Sequence, residues 1–287
     1  MSALLARIGL YGRMIRFSHS VFALPFALSS AVIAGGGGIS WRQVAWILVA
    51  MVGARSAAMG FNRLADQALD ARNPRTAGRE LPRGAISRGE VWMFVVASAA
   101  TLVVAAAMLN PLCLALSPVA LLVVFGYSYT KRFTALSHVF LGLALAVAPM
   151  GAWLAIRGRF AAPPVVLGLA VLCWVAGFDT IYACQDEAFD RAEGLHSLPA
   201  RFGIARALVF ARLFHVAAVA LLAALYALAP LHPVYLAGVA VVAALLIYEH
   251  SLVRADDLSR IDAAFFTVNG WISLGYFGVT LAARVMA

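Results

Sequence analysis

Charged residues are scarce in this sequence: they make up 12% of its 287 residues, while 63% of the residues are hydrophobic. Soluble domains are about half apolar and about a quarter charged. The mean hydropathy of +0.90 therefore excludes an ordinary water-soluble enzyme and favours a bundle of membrane-spanning helices. Any chemistry is expected to take place in the bilayer or beside it.

Lysine and cysteine are also rare. Lys131 is the single lysine among 22 basic residues, and the three cysteines form no Cys-x-x-Cys pair, so neither a zinc site nor a disulfide framework is indicated. The formal net charge of +9 indicates anionic partners, either lipid headgroups or a phosphorylated substrate. The basic residues lie in separate short loops rather than on one face, which disfavours a nucleic-acid partner. No obligate protein partner is indicated.

Nine long apolar segments follow one another along the chain. Because a helix needs about 20 apolar residues to cross a bilayer, we predict an all-α integral membrane protein in which residues 1–287 form a single transmembrane domain. The expected spans are residues 15–35, 41–62, 91–109, 112–130, 135–156, 164–185, 207–229, 233–251 and 263–285.

The arginines indicate the orientation of these spans. If the loops alternate between the two sides, the N-terminal side holds 17 basic residues and the opposite side 4, with Arg55 left inside a span. The positive-inside rule then places the N-terminus in the cytoplasm and the C-terminus outside. The acidic residues gather on or near the same side, although acids contribute little to topology. We therefore expect a site that uses carboxylates at the cytoplasmic face of the inner membrane.

The first cluster of acids lies at the cytoplasmic end of the second span. On a helix, Asn62, Asp66 and Asp70 lie one turn apart on one face, and the two like charges repel each other. A divalent cation removes that repulsion, and Mg²⁺ typically binds one or two carboxylates while leaving positions for water and phosphate oxygens. The alternative is a solvated helix end whose acids pair with nearby arginines, namely Arg63, Arg72 and Arg75.

The second cluster of acids lies at the end of the sixth span. Offsets of three, seven and eleven from Asp179 place Tyr182, Asp186 and Asp190 on one helical face. Asp179 lies inside the apolar run, where an ionisable group is costly and indicates function. The alternative is a neutral or paired acid that faces Arg55 or another helix.

The two clusters repeat one another. The spacing of Asp66 and Asp70 recurs in Asp186 and Asp190, and the four spans between the pairs bring both to the same side. Solvated loops give no reason for such a repetition, whereas two metal ions that clamp one diphosphate do.

Basic residues also lie at the ends of the second and fourth spans. Arg75 and Arg79 come after the first cluster, and Tyr127, Lys131 and Arg132 come at the end of the fourth span. Topology alone accounts for most arginines in such a protein. Their position beside the acids, however, provides the charge-assisted donors that a diphosphate requires.

At these residues the sequence resembles the UbiA superfamily of intramembrane prenyltransferases. The motif N-D-x-x-D-x-x-x-D followed by R-T-x-x-R-x-x-P is similar to NRLADQALDARNPRTAGRELP, and D-x-x-Y-A-x-x-D-x-x-x-D-x-x-x-G-x-x-S is similar to DTIYACQDEAFDRAEGLHS. Between them, Y-x-x-x-K-R-x-T appears as YSYTKRFT, and IRFSHSVFALP resembles the first-helix entry. The resemblance covers the chain from about Arg16 to Gly203. One departure is Arg63, where the family usually has Asp.

The resemblance implies nine helices around a central cavity that is open to lipid and capped at the cytoplasmic face. It implies that Mg²⁺ and the diphosphate are held by Asn62, Asp66, Asp70, Asp186 and Asp190, with Arg75, Arg79, Tyr127 and Lys131 on phosphate oxygens. Arg16 and Arg132 are implied nearby, one of them for an acceptor carboxylate. Asp179 or Asp186 is expected to assist deprotonation of the acceptor ring, and Tyr182 belongs to the same substrate-binding face.

The implied reaction is Mg²⁺-dependent transfer of a polyprenyl group from a polyprenyl diphosphate to an aromatic acceptor in quinone biosynthesis. The phrasing of the second motif is most similar to members that prenylate 4-hydroxybenzoate, toward ubiquinone, or a dihydroxynaphthoate, toward menaquinone.

The sequence alone is also compatible with other functions. One is a UbiA-type prenyltransferase with a different acceptor, and another is a multi-span transporter that uses intramembrane acids. A transporter favours charges near the middle of the bilayer, whereas these acids crowd one rim. A CDP-alcohol phosphatidyltransferase requires one contiguous acidic motif, and this chain divides its acids between two distant segments.

Overall fold

The computed structural model describes residues 2–15, 22–36 and 38–287. The chain forms two compact units, which among the described residues comprise 2–15 with 45–129 and, second, 22–36 and 38–44 with 130–287. The predicted all-α architecture is confirmed: within the described ranges the long elements are helices, and the extended pairing is one isolated bridge between Arg254 and Asp257.

The helices are numbered in chain order. The first unit contains α1 (Ser2–Met14), most of α3 (Trp41–Arg72), α4 (Arg88–Leu109) and α5 (Pro111–Thr130). The second unit contains α2 (Leu24–Gly35), α6 (Ser137–Arg157), α7 (Ala162–Ala183), α8 (Glu187–Ala192), α9 (Leu198–Phe202), α10 (Ile204–Leu225), α11 (Val234–Ser251) and α12 (Asn269–Val285), together with a 3₁₀ turn (Cys184–Asp186) and a π-helical turn (Ala263–Val268).

Eight helical segments of the described chain are long and apolar enough to cross a membrane. They correspond to the second through ninth expected spans. The first expected span, 15–35, includes residues outside the described ranges, and its described helix α2 has 12 residues. The count of nine membrane helices and the orientation of the N-terminus stay predictions.

A small apolar core in the first unit holds the end of α3 in place. Met14 and Ile15 from the end of α1 pack with Leu64 of α3, and Leu81 and Ile86 from the loop after α3 complete the cluster. The next helix, α4, starts at a capping box in which Ser87 and Glu90 each accept from the backbone N–H of the other. The first acidic cluster is therefore carried on a helix that is packed on more than one side.

Glycines allow α6, α7 and α10 to approach closely in the second unit. A Cβ atom at Gly142 of α6 would meet the backbone carbonyl of Leu172 in α7, and a Cβ atom at Gly177 of α7 would meet the ring of His215 in α10. Small residues at such positions let the backbones of membrane helices come together. This packing fixes α7, which leads into the second acidic cluster.

A buried polar network joins α7, α11 and α12 in the second unit. Asn269 accepts from Trp174 Nε1 at 2.7 Å and donates to Glu249 Oε1 at 3.1 Å. The same amide donates to the carbonyl of Phe265 at 3.2 Å, inside the π-helical turn. Because Glu249 and Asn269 are both fully buried, this amide satisfies groups that water does not reach.

Candidate active site

The predicted helix through the first acidic cluster is confirmed. Helix α3 continues to Arg72, and Asn62 donates from Nδ2 to Asp66 Oδ2 at 3.0 Å, one turn further on. Asp66 is 4% exposed and Asp70 is 6% exposed. These carboxylates therefore do not belong to a solvated helix end. Carboxylates held out of water favour a cationic partner.

Two arginines lie against Asp70. Arg79 Nη1 donates to Asp70 Oδ1 at 2.6 Å and to Oδ2 at 2.7 Å. Arg63 Nη1 lies 3.9 Å from Asp70 Oδ2, and Arg63 Nε donates to the carbonyl of Met14 at 3.1 Å. Arg63 is buried, so the arginine at the position where the resemblance has Asp adds a fixed positive charge beside the acids.

The loop after α3 folds back on the same cluster. Thr76 Oγ1 donates to the carbonyl of Asp70 at 3.0 Å, and Asn73 Oδ1 accepts from the backbone N–H of Arg75 at 2.9 Å. Thr76 and Asn73 are buried, while the side chain of Arg75 is exposed. These hydrogen bonds turn the chain so that Arg79 reaches Asp70.

Tyr127 lies in α5 of the same unit and is half-buried. It is close enough to Arg55 of α3 for the two to interact electrostatically. Arg55 precedes Asn62 by seven residues, which places both on one face of α3. Arg55 is therefore a further cation on the face that carries Asn62 and Asp66.

The spacing from Asp179 predicts one continuous α-helix through the second acidic cluster. The structure contradicts this prediction. Helix α7 ends at Ala183, Cys184–Asp186 form a 3₁₀ turn, and α8 starts at Glu187. A 3₁₀ turn advances about 120° per residue, compared with about 100° in an α-helix. Three such residues rotate Asp190 by roughly 60° relative to Asp179. Asp179 and Asp190 therefore do not lie on one helical face, as the sequence offsets predict that they would.

Asp190 is held by the segment that follows it. The Ser197 side chain hydrogen-bonds Asp190, and Asp186 and Lys131 interact with it electrostatically. The backbone N–H of His196 donates to the carbonyl of Lys131 at 2.7 Å, which ties this segment to the chain before α6. The second unit therefore brings together Lys131, Asp186 and Asp190.

His138 contacts Asp179. His138 Nδ1 lies 2.6 Å from Asp179 Oδ2, and the backbone N–H of Leu198 donates to His138 Nε2 at 3.3 Å. His138 is 3% exposed, whereas the Asp179 side chain is 25% exposed. A buried imidazole therefore supports a carboxylate that is partly accessible.

Tyr182 faces an aromatic cluster in the second unit. Its ring centroid lies 4.1 Å from that of Phe265 and 6.0 Å from that of Phe266. Phe178, one residue before Asp179, packs edge-on against Phe265 at 5.2 Å. An aromatic cluster, formed by Tyr182, Phe178, Phe265 and Phe266, therefore lies next to Asp179.

The last two predicted residues are Arg132 and Arg16. Arg132 is half-buried in the second unit. Arg16 lies outside the described residues. Within the described ranges no three His, Cys, Asp or Glu side chains converge on one point as a metal cage. Each unit offers two carboxylates of its acidic pair, and Mg²⁺ usually binds only one or two carboxylates while water and phosphate complete its shell. The hard oxygen donors present therefore fit Mg²⁺.

Comparison with known proteins identifies the family. Residues 23–271 match the model of the UbiA prenyltransferase family. The chain belongs to the UbiA prenyltransferase family. It is accordingly a prenyltransferase, and the resemblance seen in its motifs is confirmed.

Relatives of this UbiA-family chain include enzymes named for their substrate. It is 30% identical over 283 residues to a 4-hydroxybenzoate octaprenyltransferase of Aromatoleum aromaticum, across 96% of this chain and 94% of that one. It is 34% identical over 239 residues to a 4-hydroxybenzoate octaprenyltransferase of Xanthomonas oryzae pv. oryzae, across 80% of this chain and 77% of that one.

Solved structures of UbiA homologues share the fold. The apo structure of the homologue from Aeropyrum pernix K1 has a TM-score of 0.82 and 34% identity, and covers 93% of this chain and 97% of its own. A homologue from Archaeoglobus fulgidus, solved with GPP and Mg²⁺, has a TM-score of 0.76 at 22% identity, with 96% of this chain and 99% of its own covered. Because this identity is low, the similarity to the Archaeoglobus fulgidus homologue shows a shared fold and nothing more.

Sequence reasoning missed two residues of the site. The six histidines show no metal-ligand spacing in the sequence, so the spacing of His138 indicates no role beyond packing. A signal did exist: α6 and α7 are consecutive spans, so the start of α6 and the end of α7 lie at the same side of the membrane, which brings His138 and Asp179 to one level. The role of Ser197 was visible only as the final letter of the second motif.

Proposed function

We propose that this UbiA-family enzyme transfers a polyprenyl group from a polyprenyl diphosphate to a hydroxylated aromatic acid, of the 4-hydroxybenzoate or dihydroxynaphthoate type, in quinone biosynthesis. The observation that carries the proposal is a pair of buried or half-buried carboxylates in each unit, each pair accompanied by basic side chains. The names of the relatives support the choice of an aromatic acceptor.

The diphosphate is bound in this proposal by both acidic pairs. Asp66 and Asp70, with Asn62, supply oxygen ligands from the first unit, and Asp186 and Asp190 supply them from the second. Mg²⁺ bound there neutralises the diphosphate and stabilises it as a leaving group. The solution of a related fold with GPP and Mg²⁺ supports this assignment.

The basic residues complete the diphosphate site. Arg75, Arg79, Tyr127 and Lys131 donate to phosphate oxygens, and their charge grows in importance as the allylic C–O bond breaks. Arg79 is bound to Asp70 in the structure, so it already lies among the carboxylates where the phosphate is expected.

The acceptor and the prenyl tail are assigned to residues outside the diphosphate site. Either Arg16 or Arg132 is assigned to the carboxylate of the acceptor. The aromatic cluster that contains Tyr182 and Phe265 offers an apolar path for the polyprenyl chain. The faces of its rings favour a positively charged allylic carbon. The ring carbon of the acceptor forms the new C–C bond and then loses its proton.

In this proposal the site lies at the cytoplasmic face of the inner membrane, and the arginine-rich loops around it support that location. A polyprenyl tail is soluble only in lipid and a diphosphate only at the surface. A polar rim on an apolar bundle suits both parts of such a substrate.

The experiment that tests the proposal uses the purified full chain in nanodiscs. It is incubated with Mg²⁺, polyprenyl diphosphates of several lengths and a panel of hydroxylated benzoates and naphthoates, and the products are weighed by mass spectrometry. We expect one acceptor class to gain the mass of the prenyl group, with EDTA stopping the reaction. Absence of a prenylated product across the panel, with ion or substrate uptake into vesicles, would refute the proposal in favour of transport.

A further inference from the structure

Asp179 and Asp186 are both expected from the sequence to be able to deprotonate the acceptor ring, and the structure distinguishes them. Asp179 has a buried partner in His138, at 2.6 Å between Oδ2 and Nδ1, while a quarter of its side chain stays exposed. Asp186 interacts electrostatically with Asp190 in the acidic pair assigned to the diphosphate. Asp179 therefore has an accessible oxygen that the diphosphate does not require.

The hydrogen bonds define the state of His138. Because the backbone N–H of Leu198 donates to Nε2, that nitrogen carries no proton, and the ring proton lies on Nδ1. Nδ1 then donates to Asp179 Oδ2. This arrangement leaves Oδ1 of Asp179 to accept a proton, and a fixed carboxylate is the usual requirement of a general base.

We infer that His138 is a positioning residue that holds Asp179 as the base of the prenyl transfer, an inference that rests on the proposed function. The C–C bond forms between the allylic carbon and the ring carbon as diphosphate departs with its electron pair. Asp179 Oδ1 then takes the proton from that ring carbon, and the C–H electron pair restores the aromatic ring. His138 keeps its own proton throughout and fixes the orientation of the carboxylate.

Two amide substitutions separate this role from a structural one. In His138→Asn the amide occupies the position of Nδ1 and donates to Asp179, but it does not reach Leu198. In His138→Gln the amide occupies the position of Nε2 and accepts from Leu198, but it gives up the donation to Asp179. His138→Leu removes both interactions at similar volume.

The readout is the kinetic isotope effect with an acceptor deuterated at the ring carbon that is prenylated. We expect kcat to fall at least ten-fold in His138→Gln and His138→Leu, with a larger kH/kD than in the wild type, because proton removal becomes slower than C–C bond formation. His138→Asn is expected to stay within about three-fold of the wild type in kcat, with an unchanged kH/kD. Asp179→Asn is expected to show the largest increase in kH/kD.

The opposite pattern would overturn the inference. If His138→Gln behaves as the wild type while His138→Asn is impaired, or if kH/kD does not rise in any variant, His138 serves only to hold Leu198. Calorimetric binding of a polyprenyl diphosphate with Mg²⁺ checks that each variant is folded. Failure of the proposed function would instead appear as a wild-type protein that forms no prenylated product.

A second and independent observation concerns a cavity of about 380 Å³ at the start of α10 and the end of α11, in the second unit. Arg212, His250, Ser251 and Arg254 are among the residues that line it, and none of them is in the candidate active site. Both arginines are exposed, and the Asp257 carboxylate interacts electrostatically with Arg254. The nearby Asp257 turns its carboxylate to the backbone N–H of Ser259, at 2.9 Å.

Two guanidinium groups that line one cavity repel each other, and an anion bound between them removes that repulsion. Arginine matches phosphate geometry with two parallel hydrogen bonds. The loop that carries Arg254 is held by its two backbone hydrogen bonds with Asp257, so this guanidinium extends from a fixed turn. We propose that this cavity binds a phosphate group, either the headgroup phosphate of an anionic lipid or free phosphate.

The test uses nanodiscs of phosphatidylglycerol and of phosphatidylcholine, with lipid retention measured by native mass spectrometry. We expect the wild type to retain phosphatidylglycerol, and the double variant Arg212→Gln with Arg254→Gln to retain it at least ten-fold less. Arg206→Gln, an exposed arginine of α10 outside the cavity wall, is the matched control. Displacement of the lipid by millimolar inorganic phosphate identifies free phosphate as the ligand, and persistence identifies the lipid. If the double variant retains as much lipid and phosphate as the wild type, the proposed site is refuted.

Discussion

Arg79 donates from Nη1 to both carboxylate oxygens of Asp70, at 2.6 and 2.7 Å. Both residues are partly or fully removed from water, so the pair is stronger than a surface ion pair. A diphosphate that binds here offers Arg79 a second anionic partner, while a metal ion offers Asp70 a second cationic one. The ion pair thus holds the acid and the base together where we propose that the diphosphate binds.

The first prediction concerns this arginine. Arg79→Gln is expected to raise the KM for the polyprenyl diphosphate at least ten-fold, because a charge-assisted hydrogen bond contributes about 1.5–3 kcal/mol. Steady-state kinetics with varied diphosphate measure the effect. Arg83→Gln, which changes an exposed arginine of the same loop, serves as the control. Equal KM values in the two variants would contradict the assignment of Arg79 to phosphate.

The second prediction concerns the two acidic pairs. Asp66→Asn and Asp186→Asn are each expected to lower turnover by a factor of at least 10³, because each removes a carboxylate that is proposed to bind Mg²⁺ and, through it, the diphosphate. Product formation is measured at saturating Mg²⁺. Thermal unfolding in nanodiscs establishes that the variants are folded, and Asp256→Asn, in an exposed loop, is expected to leave turnover unchanged. Wild-type turnover in either variant would remove that pair from the site.

The third prediction concerns the polar network of the second unit. Asn269→Leu is expected to lower the free energy of unfolding by about 1–3 kcal/mol, because Trp174 Nε1 and Glu249 Oε1 lose a buried partner. Denaturant unfolding in detergent measures the change. Thr101→Val removes an exposed hydrogen bond inside α4 and is expected to have little effect. A network that contributed nothing would leave the two variants equally stable.

The fourth prediction concerns the packing of α6 against α7. Gly142→Ala is expected to destabilise the protein by about 1–3 kcal/mol, since the new methyl group meets the backbone carbonyl of Leu172 and the helices must separate. Gly151→Ala, on the same helix but with open space at the Cβ position, is expected to be neutral or to stabilise the helix slightly. Thermal unfolding of both variants decides this, and equal melting temperatures would argue against close helix contact at Gly142.

Much of the fold was predictable because it follows from local patterns. Apolar runs of span length and the spacing of Asn62, Asp66 and Asp70 depend only on helical periodicity, which α3 follows as far as Arg72. The family likewise followed from motifs that are contiguous in the sequence. Predictions of this kind require no knowledge of which helices are neighbours.

The remainder depends on contacts between distant residues. The 3₁₀ turn at Cys184–Asp186 interrupts a run whose spacing is fully compatible with an α-helix, and no residue in it is a helix breaker. His138 and Leu198 meet only because the chain after α8 folds back toward the start of α6. Burial of Arg63 likewise depends on the end of α1, where it binds the carbonyl of Met14.

The segment after α8 is tied to Lys131 through main-chain atoms, since the N–H of His196 donates to the lysine carbonyl at 2.7 Å. Such a link is insensitive to the identity of the side chain at 196. Evolution and engineering are therefore free to change this position, with proline as the exception because it has no N–H to donate. His196, which stands beside the acids in sequence, is thus replaceable, whereas His138 contacts Asp179 through its side chain and tolerates only a replacement that keeps this contact.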